Sequence, residues 1–239
     1  MKKLVLSFLL LSLLSGALLA QKTVNDANAE KRTVSSFHGI EVSTGIKLLL
    51  TSGSTEEVAV SASEIEYRDK IVTSVENGIL KIHYETKLGA INKKNQNKDL
   101  RAYVSYKTLN YLNANTGAEV EIKNKLVASV FELKANTGGE VKGEVNIGTL
   151  MVTQSTGSRI TLSGETDKLE VEGGTGSKFM GDDMNTKTCD VNVGTGAGVY
   201  LMIEKEMNVK ASTGGYVKYK GAGGIRDIKT NTGGIVSRI

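Results

Sequence analysis

The chain has 239 residues and a mass of 25.5 kDa, with 27 Gly, no Pro, no Trp and only 5% aromatic residues. That length can bury a core, and 39% hydrophobic with 23% charged residues excludes both a disordered chain and a multi-span membrane protein. One Cys and two His rule out an internal disulfide and speak against Cys-rich zinc, His-metal or triad chemistry, and a net charge of only +4 implies no nucleic-acid partner.

Met1–Lys3 is a short basic segment, Leu4–Leu14 is apolar, and Ser15–Ala20 ends on a small residue before Gln21. This order predicts a secretory signal over residues 1–20, cleaved after Ala20 or after Ala17. The apolar run is too short to cross a bilayer, so no transmembrane span remains after cleavage. Losing Lys2 and Lys3 takes the charge from +4 to +2, and no Cys lies near the junction to carry a lipid. The mature protein is therefore expected outside the cytoplasm: periplasmic, on the outer surface or secreted.

Residues 21–108 are expected to hold a first coil, a hairpin and a capping segment. In the first coil, Ile40 stands four before Thr44-Gly45 and Leu48 four after. His38 falls at an inward offset of that coil. Val58–Val60 reads as a short strand and Ser63–Lys70 as a helical turn. Ile71–Val75, Asn77-Gly78 and Ile79–Tyr84 read as a hairpin, because Asn-Gly favours the two-residue turn that joins twisted strands. Lys87–Arg101 is Lys- and Asn-rich and reads as a loop, and Tyr103–Tyr106 as a strand entering the regular part.

Residues 109–239 are a repeat. Thr-Gly recurs at Thr116, Thr137, Thr156, Thr175, Thr195, Thr213 and Thr232, spaced 21, 19, 19, 20, 18 and 19 residues. Four before each Thr stand Leu112, Leu133, Val152, Val171, Val191, Val209 and Ile228; four after stand Val120, Val141, Ile160, Phe179, Val199, Val217 and Val236. Six before stand Asn110, Phe131, Leu150, Leu169, Cys189, Met207 and Arg226. Apolar columns with a period of two on each side of a fixed corner predict strands with one inward face. A short coil repeated this way is a single-stranded parallel β-helix of about 19–20 residues per coil, with like stacked on like at roughly 4.8 Å. The crossover rule makes it right-handed. A propeller blade would need about 40 residues, and the leucine-rich consensus is missing.

The corner glycines are Gly45, Gly117, Gly138, Gly157, Gly176, Gly196, Gly214 and Gly233; Gly accepts the positive φ that a sharp corner requires. The stacked Thr could also suggest an ice- or glycan-binding face. The adjoining Gly accounts for the position as a corner, and Thr-x-Thr arrays are absent at regular offsets. A stacked rod has two sheet edges. The front segment is expected to cap one; the C-terminal end, with Arg226 and Arg238 as charged guards, is expected to pack on another copy or a partner.

Two outward groups could carry chemistry. Glu170, Glu172, Asp182, Asp183 and Asp190 fall in neighbouring coils and could hold Ca2+, or serve a polysaccharide lyase with Lys168, Lys178 or Lys187 as base. No calcium-loop spacing is present, and a solvated acidic face with no cofactor is the simpler reading. Lys178, Met180, Tyr200, Tyr216, Lys218 and Tyr219 follow successive corners; aromatics on adjacent coils can stack on sugar rings, anchor a protein contact, or merely pair across strands. Cys189 reads as a small buried hydrophobe. No Gly-x-Ser-x-Gly elbow, phosphate loop or dinucleotide fingerprint is present.

Three segments resemble a known family: Phe37–Leu48 (FHGIEVSTGIKL), Val75–Ile82 (VENGILKI) and Leu109–Gly117 (LNYLNANTG). In their order, with the repeat behind them, the chain is similar to the putative auto-transporter adhesin, head GIN domain family of Gram-negative envelope proteins, as one continuous domain over 35–239. The resemblance implies a β-helical secreted or envelope protein and supplies no catalytic residues to carry over. No C-terminal barrel follows Ile239, so the rod would be released, periplasmic or held at the surface by something else. The expected function is non-enzymatic binding of a glycan or an envelope or host protein. Enzymatic action on carbohydrate, or a structural self-associating periplasmic role, are the alternatives.

Overall fold

The structure, a computed structural model, describes residues 26–85 and 97–239. The signal segment 1–20 and most of the stretch 87–101 lie outside the described residues. The front of the chain forms β1 (Glu30–Arg32), β2 (Gly39–Val42), β3 (Lys47–Ser52), β4 (Glu57–Ser61), a single-turn α1 (Ile65–Arg68), β5 (Ile71–Glu76), β6 (Ile79–Tyr84) and β7 (Arg101–Tyr106). The regular part forms β8 (Tyr111–Ala114), β9 (Glu119–Ile122), β10 (Leu126–Ala135), β11 (Glu140–Gln154), β12 (Arg159–Gly173), β13 (Lys178–Val193), β14 (Gly198–Ala211), β15 (Tyr216–Lys220), β16 (Gly224–Thr230) and β17 (Ile235–Arg238). All 17 join one hydrogen-bonded sheet. From β8 onward every pairing is parallel, one coil against the next, so the chain is a parallel β-solenoid of about seven turns.

The sequence columns become physical stacks. Val141 pairs with Ile160, Ile160 with Phe179, Phe179 with Val199 and Val199 with Val217, and each is at most 2% exposed. Leu133, Val152, Val171, Val191 and Val209 form the matching stack before the corner. Burying each such side chain is worth about 1.5–3 kcal/mol. The inward parity switches once within β11 and once within β12. In β12 it runs Ile160, Leu162, Thr166 and then Leu169, Val171, with Asp167 and Lys168 exposed in succession between them. That switch bends the strand around the core. The uneven spacing is absorbed by bulges: β13 takes its extra residue between the registers Thr161↔Met180 and Ser163↔Asp183.

Each corner is a tight two-residue turn in which both residues have positive φ: 46–62° at the eight Thr and 69–78° at the eight Gly. This is the type I′ geometry. The N–H two residues after each Thr of the regular repeat donates to the carbonyl just before it, as Gly139 does to Asn136 at 2.9 Å. Seven of the eight corner Gly N–H groups donate to the Thr carbonyl of the next coil at 2.9–3.1 Å, from Gly45→Thr116 to Gly214→Thr232. The bonding along the corner is thus carried by the main chain. A β-branched residue in the left-handed region costs about 1–2 kcal/mol. Two main-chain bonds per corner, each worth a net ~0.5–1.5 kcal/mol, offset it.

The front coil is distant from the others only in sequence. β2 and β3 pair in parallel with β8 and β9, placing Ile40 on Leu112 and Leu48 on Val120. On their other side β6 and β7 complete a further layer. β5 then closes antiparallel on β6, with the turn at Asn77 (φ 52°) and Gly78 (φ 75°). β4 lies antiparallel between β1 and β7. One expectation needs correcting. His38 points outward, is exposed, and its Nδ1 lies 3.0 Å from Asn110 Oδ1. Asn110 and Arg226, at the two ends of the column that stands six before each Thr, are exposed too. A register shift brings Ile225 opposite Met207 and turns Arg226 out to Glu206, 3.4 Å away.

Candidate functional site

The strand segment after each corner, here the leading arm, offers two outward columns three and five residues beyond the Thr. The first runs Lys47, Glu119, Glu140, Arg159, Lys178, Gly198, Tyr216; the second Leu49, Glu121, Lys142, Thr161, Met180, Tyr200, Lys218. The front half of this face is a closed charge network. Lys47 and Lys142 each approach Glu119 Oε1 at 3.2 Å, and Lys123 sits 2.6 Å from Glu121. Burial works to raise the Glu119 carboxyl, but the hydrogen bonds from Lys47 and Lys142 outweigh it and hold the group below the usual carboxylate range. The Lys123 hydrogen bond does the same to Glu121.

The back half is built differently. Tyr200 and Tyr216 meet edge to face, centroids 6.0 Å apart and planes at 88°. Lys178 Nζ lies 5.6 Å from the Tyr200 ring centre and Lys218 Nζ 5.7 Å. Gly198 makes room for this. A Cβ there would sit 2.2 Å from Tyr216 Cζ, so the Tyr216 ring lies across the bare backbone of the preceding coil. Burial, and the Tyr200 phenol beside it, push the Tyr216 hydroxyl up from its ordinary value. The arrangement is a half-buried aromatic pair bracketed by two ammonium groups on a rigid sheet. Its chemistry is stacking and anion pairing.

Of the residues singled out in the sequence, the structure therefore brings Lys178, Tyr200, Tyr216 and Lys218 together, with Met180 in register beside Tyr200. Tyr219 belongs elsewhere: it faces the core, and the Arg238 guanidinium covers its ring at 6.0 Å. Arg238 also donates to the Gly221 carbonyl. Arg159, one coil in front of Lys178, was not singled out; the signal was its place in the same column, three after Thr156.

The acidic residues are divided between faces. Glu170 and Asp190 pair in register on the trailing arm, where Asn208 Nδ2 donates to Asp190 at 2.7 Å and Lys168 lies 2.5 Å from Glu170. Glu172 lines the same shallow groove of about 530 Å3. Asp182 and Asp183 lie at the β13 bulge on the other arm, with Asp183 3.8 Å from Lys220. Among the described residues no group of three or more His, Cys, Asp or Glu is placed to hold a metal. Of the lysines suggested as a base, Lys187 pairs with Asp167 at 2.5 Å and Lys168 with Glu170. Cys189 is fully buried in register with Leu169 and Met207.

A family model, putative auto-transporter adhesin, head GIN domain, matches residues 36–223. Three solved structures are similar. A putative adhesin from Bacteroides fragilis has 15% identity and a TM-score of 0.74, over 88% of this chain and 96% of its own. A putative lipid binding protein from Parabacteroides distasonis has 16% identity and a TM-score of 0.69, over 90% and 98%. A putative adhesin from Parabacteroides merdae has 14% identity and a TM-score of 0.68, over 89% and 95%. At these identities the likeness is one of fold. No curated protein matches the chain.

Proposed function

The chain belongs to the putative auto-transporter adhesin, head GIN domain family, and on that footing we propose that it is a non-enzymatic binding module of the cell envelope, exported and offered at the surface of a Gram-negative-type cell. Its ligand, a glycan or an envelope or host protein, docks on the leading-arm face at Lys178, Tyr200, Tyr216 and Lys218. The observation that carries this reading is the Tyr200–Tyr216 pair, held edge to face between two lysines on adjacent coils. Aromatic and basic side chains fixed on a sheet lose little entropy on binding and are enriched where surfaces recognise partners. A lyase reading would need an acidic cluster with a free base beside it; here the acids fall on two arms, Lys168 and Lys187 are ion-paired, and Lys178 lies against the Tyr200 ring.

The test is a Tyr200→Ala/Tyr216→Ala variant. It is expected to keep its melting temperature within a few degrees and to lose binding to whole cells and to glycan and host-protein arrays. Unchanged binding would sink the reading. A second mode has its own observation: Ile228 and Ile235, 48% and 60% exposed, lie on the strands β16 and β17 of the last coil. Self-association through that end would show as a concentration-dependent mass in light scattering, and a constant monomer mass would remove it.

A further inference from the structure

The leading-arm face segregates charge along its length. In the front half Lys47, Lys123 and Lys142 are each tied to Glu119 or Glu121. In the back half Arg159, Lys178 and Lys218 make no ion pair among the described residues. Glu140 stands next to Arg159 in register without pairing to it, and Asp183 lies 3.8 Å from Lys220. A protein that balances its cations so thoroughly on one half of a face leaves three of them unbalanced on the other half, around the half-buried Tyr200–Tyr216 pair.

On the reading of the face given above, we infer that the ligand is an acidic polysaccharide, one carrying carboxylate or sulfate groups on successive sugar rings. Three features fit that chemistry together. Sugar rings present C–H faces that stack on Tyr200 and Tyr216. The charged groups pair with Lys178 and Lys218, 5.6 and 5.7 Å from the Tyr200 ring centre, and with Arg159 one coil further along. The cations are spread over coils that repeat at roughly 4.8 Å, so a linear polymer running along the rod meets them in succession. A neutral glycan would leave all three cations unmatched. An acidic protein surface would pair with the cations but would leave the half-buried aromatic pair without a stacking partner.

The experiment immobilises polygalacturonate, chondroitin sulfate and neutral dextran, and measures binding of the full protein at low and high salt. Both acidic polymers are expected to bind, dextran not, with affinity falling as salt rises. An Arg159→Ala/Lys178→Ala/Lys218→Ala variant should weaken binding by about tenfold or more, as lost charge-assisted contacts require. Lys107→Ala/Lys205→Ala/Lys210→Ala removes the same charge from elsewhere and should leave affinity within about twofold. All six positions are outward, so an unchanged melting temperature confirms that each variant folds. Equal losses from both triple variants would reduce the effect to bulk charge and overturn the inference. Dextran binding that is lost in Tyr200→Ala/Tyr216→Ala but kept without the three cations would overturn it while leaving the binding face intact. If none of the polymers binds, the inference fails; whether Tyr200→Ala/Tyr216→Ala still abolishes cell binding then decides the broader reading separately.

Discussion

Eight threonines occupy a backbone conformation that β-branched residues avoid, and the cost is measurable one residue at a time. Thr137 has φ 49° and an exposed side chain. Asn tolerates this region far better, so Thr137→Asn should raise stability by about 1 kcal/mol in chemical denaturation. Its neighbour Gly138 has φ 71° and open space around a would-be Cβ. Gly138→Ala should therefore cost about 1–2 kcal/mol from backbone strain alone, without a steric clash. Burial pushes the Cys189 thiol well above its ordinary value, with Asp190 adding to the effect. The native protein should accordingly resist iodoacetamide and react only after unfolding; rapid labelling of folded protein would show that the column is open. The Gly of each corner was legible as a turn residue. The positive φ of the Thr was not, because propensity argues against it and only the stacked main-chain bonds permit it. Gln154 also escaped: it stands in a column of small inward residues, and in the fold its amide is 1% exposed with no protein partner.

At the scale of the elements, the strands were legible because each coil repeats two apolar columns around a fixed corner. The hairpin of β5 and β6 was legible from Asn77-Gly78 alone. The layering of the front was not. Nothing local in the sequence says that β6 and β7 stack on the far side of β2 and β3, since this is a pairing between segments dozens of residues apart. Bulges were equally hidden: the column six before each Thr holds Arg226 in the last coil, and only the register shift shows that Ile225 takes the inward place there. The charge network on β3, β9 and β11 carries a pH dependence. Glu119 and Glu121 titrate below the ordinary 4.5 when folded, so the unfolded chain takes up protons first as the pH falls. Their contribution is present above 4.5 and is lost as the pH drops through the folded values. Both carboxylates are partly exposed, so the effect is small and salt-sensitive. A Glu119→Gln variant should melt below the wild type near pH 7, and the gap should close as the pH falls through the lowered Glu119 value. A gap that persists in acid would assign the loss to packing rather than charge.

Across the whole molecule, the interior and the exterior do separate jobs. The interior is a mainly apolar stack from Ile40 to Val217, with Gln154, Thr166 and Thr186 buried within it. The outer columns are consequently free to vary, and on the leading arm they change from paired charge to an aromatic and basic strip. Periodicity exposes the first kind of information to a reader of the sequence and hides the second. Lys178, Tyr200, Tyr216 and Lys218 could be listed from their offsets, but only the fold shows Gly198 opening a space for the Tyr216 ring and Arg159 standing in line with Lys178. The same independence explains why likeness of fold to the Bacteroides and Parabacteroides structures says little about ligand. A face that binds a ligand outside the cell must be exposed there, and protease shaving of intact cells, followed with an antibody to residues 26–239, tests that most directly. The account predicts that the protein is degraded on intact cells. Protection until the outer membrane is broken would contradict it and confine the rod to the periplasm.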